Sequence, residues 1–139
     1  MTLKNRYNLN TEEQAIRYFI EKMDIEMISS FINKNQTYQD MPVTKFLEKL
    51  ENLFDRFKSR GDDYLLAYKG NCGYCYKEKQ GYIFVGNFSF NYVNLIIDNE
   101  KGLVKDMFDC TSIITKNPIF LNKRFYLDLD KLFIPLTKH

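Results

Sequence analysis

At Asp63 the spacing of apolar residues changes from every third or fourth position to every second. That switch restricts what the chain can fold into, because the two periods belong to helices and strands respectively. Helices followed by a run of strands specify an α+β domain with an antiparallel sheet. A parallel sheet needs a crossover of about a dozen residues between neighbouring strands, and the gaps after Asp63 are too short for one.

Three helices are expected ahead of the switch. Thr11-Glu12-Glu13-Gln14 fits a capping box, and Ala15, Ile16, Phe19, Ile20 and Met23 follow at helical spacing, giving a helix over about 12–22. Asp24 is placed to cap a second, shorter helix with Ile25, Ile28, Phe31 and Ile32 on its apolar side. The chain bends at Met23-Asp24, or runs on as one straight helix. The segment 36–40 has room for a short strand. From Asp40-Met41-Pro42 onward, Phe46, Leu47, Leu50, Leu53, Phe54 and Phe57 form one stripe. Lys45, Glu48, Lys49, Glu51, Asp55, Arg56 and Lys58 lie opposite it, and Gly61 stops the helix.

Strands are expected near 63–69, 73–79, 82–90, 92–98 and 103–115. Gln80-Gly81 and 99–102 are the hairpin punctuation, and Gly86 and Asn87 mark a bulge. Residues 1–10 read as a polar arm. The tail 116–139, with Pro118 and Pro135, packs back as a strand or a helix. At 139 residues the whole is one domain.

Both faces of the central strands are apolar. On 82–90, Tyr82, Phe84, Phe88 and Phe90 alternate with Ile83 and Val85; on 92–97, Tyr92 and Ile96 alternate with Val93, Leu95 and Ile97. The helices cover one face, so the other needs the tail or a second subunit, and a homodimer through the sheet is expected.

Charge is spread evenly. Up to Gly70 there are 11 basic and 11 acidic residues, and from Asn71 onward 9 and 7, which gives the net +2. No basic stripe marks a nucleic-acid partner. No apolar run approaches the ~20 residues of a membrane span, and 1–14 lacks the apolar core of a signal peptide, so neither membrane nor secretion is expected. The expected compartment is the cytoplasm, where thiols stay reduced.

The order of two helices, the segment Thr37-Tyr38-Gln39-Asp40, an amphipathic helix ending at Gly61 and then long antiparallel strands resembles the nuclear transport factor 2-like superfamily, which includes ketosteroid-isomerase-like and SnoaL-like proteins. The resemblance covers about residues 11–115. It implies three helices packed in the concave face of a strongly curved, cone-like sheet, often with an apolar pocket and often as a homodimer. Members that use a His–Asp base are not matched, since the only histidine is His139. The chemistry left is that of the ketosteroid isomerases, with an Asp as base and a Tyr as donor to the oxyanion. By strand position the candidates are Asp40, Asp106 and Asp109 with Tyr38, Tyr64 and Tyr92. Asp106 and Asp109, three apart on one strand, point to opposite faces unless a bulge intervenes.

Cys72-Gly73-Tyr74-Cys75 has the spacing of a redox or zinc pair. A redox pair needs a helix after its first Cys, and strand-like sequence follows here. A zinc site needs four ligands, and Cys110 is the only further thiol beside His139. Small buried side chains around a tight turn, or a reversible disulfide, are the simpler readings. Tyr64, Tyr68, Tyr74, Tyr76, Tyr82 and Tyr92 either line a pocket or serve as cross-strand residues. No cofactor is implied. Two functions follow: a non-catalytic binding or interaction module with an apolar pocket for a small ligand, and a carboxylate–tyrosine isomerase or lyase.

Overall fold

The computed structural model describes residues 11–72, 80–110, 113–115 and 119–127. The polar arm, the strand expected at 73–79 and the tail beyond 127 lie outside them. Among the described residues are three helices, α1 (Glu12–Glu21), α2 (Ile25–Phe31) and α3 (Val43–Ser59). Seven strands accompany them: β1 (Thr37–Tyr38), β2 (Met41–Pro42), β3 (Leu65–Cys72), β4 (Gln80–Gly86), β5 (Tyr92–Glu100), β6 (Leu103–Asp109) and β7 (Ile113–Ile114). The main sheet runs β6-β5-β4-β3-β7, and every pairing in it is antiparallel. The protein is therefore α+β, as the change of period requires.

The helices begin and end where local chemistry dictates. Thr11 accepts from the Gln14 N–H at 3.1 Å and opens α1. Met23, at φ 54, and the bonds Met23 N–H to Ile20 O and Asp24 N–H to Phe19 O close it in a Schellman-type turn. Asp24 then accepts from the Met27 N–H and caps α2, so the chain bends there. Gly61, at φ 93, closes α3 in the same way. Helix α3 starts at Val43 behind Pro42, later than the Asp40 start expected, because Asp40 is used in a turn. Gln39 and Asp40, at φ 51 and 60, are the two central residues of a tight β1–β2 hairpin.

Two clusters of buried side chains lie on opposite faces of the sheet. The helix side joins Ile16, Ile20, Phe46, Leu50, Phe54 and Phe57 to Tyr82, Phe84, Val93, Leu95 and Ile97. The outer side holds Ile83, Val85, Ile96, Cys110 and Ile113, with no helical residue. The alternation along β4 and β5 thus partitions as the sequence indicates. Part of the cover of the outer face comes from the chain itself, since Ile119 and Leu121 pack on this cluster. From there the strap 119–127 runs past the start of β5. Tyr92 N–H donates to Lys123 O at 3.0 Å and Phe125 N–H to Tyr92 O at 2.6 Å. Phe125 and Leu127 then enter the helix-side core, Phe125 at 4.9 Å from Phe57.

Three expectations are corrected. Gln80 and Gly81 do not form a turn; they pair with Asn71 and Gly70 inside β4. The strand expected over 82–90 ends at Gly86, and Asn87–Ser89 turn the chain into β5. The bulge falls at Lys105 in β6 instead of at Gly86, since Asn99 pairs with Val104 but Asp98 with Asp106.

Candidate functional site

The residues named as possible base and donor meet in part beneath the β1–β2 hairpin. Gln39 holds the hairpin on the edge strand β6. Its N–H donates to Asp106 Oδ1 at 2.9 Å, and its side-chain Oε1 accepts from the Asp109 N–H at 2.8 Å. Asp106 is half-buried and also accepts from the Met107 N–H. Burial pushes its carboxyl above the usual range, the two N–H groups oppose that, and the charges of Asp40 and Asp98 add to the rise. Tyr38 is buried against Phe46, with ring centroids 5.1 Å apart, and its hydroxyl accepts from the Asn33 N–H at 3.1 Å. Burial raises this phenol too; the Asn33 N–H opposes the rise, and Glu12 and Asp106 reinforce it. Tyr38 and Asp106 share a neighbourhood, yet each is committed to a backbone N–H.

The other candidates are dispersed. Asp40 is exposed at the hairpin tip. Asp109 faces the strap, where Oδ2 accepts from the Leu127 N–H at 2.8 Å. Near it Arg56 donates to Tyr126 O at 2.6 Å, with its guanidinium 5.4 Å from the Phe125 ring centre. Burial lowers the Arg56 pKa and the Asp109 charge pulls it back up. The bulge at Lys105 precedes both acids, so Asp106 and Asp109 keep opposite parity on β6. Tyr64 is exposed, and Tyr92 packs half-buried on the outer cluster. Cys110 is buried in that outer cluster. The side chain of Cys72, and Cys75 entirely, lie outside the described residues. Among the described residues no three His, Cys, Asp or Glu side chains gather to hold a metal.

One carboxylate–phenol contact has no signal in the sequence. Tyr82, on the helix side of β4, donates its hydroxyl to Glu13 Oε2 at 2.5 Å, and Asn99 Nδ2 donates to Glu13 Oε1 at 2.9 Å. Burial, then Glu13, pushes the Tyr82 phenol far above its ordinary range. Next to Glu13, Glu12 accepts from the Val104 N–H at 2.7 Å. Further along α1, Glu21 pairs with Arg17, and burial raises Glu21 against the pull of that cation. Acidic residues in the first turn suit the helix dipole, and nothing in the sequence says that these two also fasten α1 to the sheet.

A second anchor joins the end of α3 to the β4–β5 turn. Asp62 is 2% exposed, and its Oδ1 accepts from the N–H groups of Phe88 and Ser89 at 2.8 and 2.7 Å. Its Oδ2 accepts from the Ser89 hydroxyl at 2.6 Å. In return, Asn87 Oδ1 accepts from the N–H groups of Asp63 and Tyr64 at 2.8 and 3.3 Å.

Comparison with protein-family models, curated proteins and solved structures finds no match.

Proposed function

We propose that the protein is a non-catalytic interaction module that self-associates through the outer face of its sheet. The observation that carries this reading is the use made of the acids. Asp106 and Asp109, the candidates that are not simply exposed, serve as acceptors for backbone N–H groups of the hairpin and the strap. Meanwhile the helix-side space is filled by Tyr38, Phe46, Phe54, Phe57 and Phe84, all fully buried. That favours contact through a surface over a small apolar ligand held between the layers. With the strap covering part of the outer face, the dimer strip narrows to β3 and the residue before it, where Tyr64 and Leu66 are exposed and Tyr68 half-buried. A nuclear transport factor 2-like relationship, with the sheet curving round the helices, belongs to the same reading. It is supported by the element order and by the bulge at Lys105, a device that bends strands.

Light scattering at micromolar concentration tests the proposal. It should give twice the 16.7 kDa chain mass, with Leu66→Lys reduced to one chain. A single-chain mass for the unaltered protein would end it. The isomerase reading has one observation in its favour, the raised Asp106 carboxyl near Tyr38. It requires the β1–β2 hairpin to move so that Asp106 loses the Gln39 N–H.

A further inference from the structure

We propose that the end of the molecule formed by the β4–β5 turn, the last turn of α3 and the strap is a docking surface for an anionic lipid bilayer. Phe88 and Phe120 are 70% and 69% exposed, and Phe90, edge-on to Phe120 at 5.5 Å between ring centres, is 38% exposed. Isolated exposed apolar residues are ordinary, but phenylalanines collected at one end are not. Phe90 adds a second anomaly. Its φ is 61, in the left-handed region that costs a bulky side chain and suits Gly or Asn. The ring is thus held in place against backbone preference and is still left partly in water. The turn that carries it is fixed by the Asp62 carboxylate, and the strap is tied to it by the Asn122 N–H on Phe90 O at 2.8 Å.

Charge identifies the occupant. Lys58 and Arg60 lie in and just after the last turn of α3, beside Gly61. A side chain added at Gly61 would sit 3.0 Å from the Phe88 ring. Lys123 follows Asn122 on the strap, and all three cations are exposed. Among the described residues the exposed acids beside these cations are Asp63 and Asp55, the latter one helical turn before Lys58, while the charge of Asp62 is buried and met by three donors. Three exposed cations against these two anions leave a surplus of one positive charge. A two-fold contact of this end with itself would set those cations against one another, so the second copy belongs on the β3 strip and not here. Rings that stand this far out of the surface fit a soft layer: aromatic side chains settle at the headgroup boundary while lysine and arginine meet the phosphates. Such contact needs no span, and no helix among the described residues is long and apolar enough to cross a membrane.

Co-sedimentation with vesicles tests the inference independently of the dimer. The full chain should pellet with phosphatidylcholine vesicles containing about a third phosphatidylserine and stay in solution with pure phosphatidylcholine. The double variant Phe88→Ser, Phe120→Ser should weaken binding about tenfold or more, and Lys123→Ala about fivefold. Phe90→Gly, which suits the left-handed backbone, should keep or raise the Tm while weakening vesicle binding; a merely structural Phe90 would lose stability instead. No binding to the anionic vesicles, equal binding to neutral ones, or undiminished binding by the double variant would each overturn the inference. The light-scattering mass is unaffected by any of these results, so the two proposals fall separately.

Discussion

Replacing Asp62 by Ala should be among the most damaging single changes in the described part of the chain. The carboxylate is 2% exposed and accepts three hydrogen bonds, two of them from N–H groups that have to point inward for the β4–β5 turn to close. Removing the acceptor leaves those partly buried donors unpaired, at roughly 1 kcal/mol or more each. The Ser89 hydroxyl can rotate to water, and the relief of a buried charge offsets a little, so the net loss is about 2–3 kcal/mol. Against a total stability of about 5–15 kcal/mol this is a large fraction. Urea unfolding should show a lower midpoint with an unchanged slope. Asp62→Asn keeps an acceptor for both N–H groups and should lose only about 1 kcal/mol.

A double-mutant cycle sharpens the argument. A Cβ on Gly86 would fall inside the van der Waals radius of the Asp62 carboxylate, so Gly86→Ala alone must push the carboxylate off its donors. In the Asp62→Ala background the same methyl enters vacated space. The double variant should therefore cost less than the sum of the singles by about 1 kcal/mol or more. Additive costs, or an Asp62→Ala loss below about 0.5 kcal/mol, would refute the claim that this carboxylate builds the turn.

Two further outcomes follow from the polar contacts. Tyr82→Phe removes the bond to Glu13 and should cost about 1–2 kcal/mol in urea unfolding. In an absorbance titration it should also delete a phenol that ionises far above the ordinary tyrosine range. Asp106 has a raised pKa when folded, so the native state holds its proton more tightly than the unfolded chain. Stability therefore falls as pH rises from the ordinary 3.8 through the raised value. Asp106→Asn should flatten that part of the pH–stability profile and gain no more than about 1 kcal/mol at neutral pH, because the site is half open to water.

What the sequence revealed is what local chemistry decides. The caps at Thr11 and Asp24, the stop at Gly61 and the stripe of α3 are set by residues within a turn or two of one another, and all are found where expected. The end of β4 is hidden in the sequence because Phe88 and Phe90 continue a strand-like alternation. The group that turns the chain there is Asp62, 26 residues earlier. Gly81 reads as a turn residue, yet it sits in the sheet where a Cβ would press on Ile96 and Ile113 at 2.9 Å. The site shows the same limit. Tyr38, Asp106 and Asp109 could be named from the sequence, but Gln39 and Leu127 decide what the two carboxylates do, by contacts spanning 67 and 18 positions. Glu13 and Tyr82, which do form a carboxylate–phenol pair, are 69 positions apart and carry no motif.

The most direct test of the interaction-module account is amide hydrogen exchange measured at two protein concentrations, one below and one above the association midpoint. The account predicts that protection rises with concentration along Tyr64 to Lys69, while the amides of Phe88 and Ser89, held by Asp62, exchange equally slowly at both. Exchange along β3 that does not change with concentration, or a change confined to another face, would contradict it.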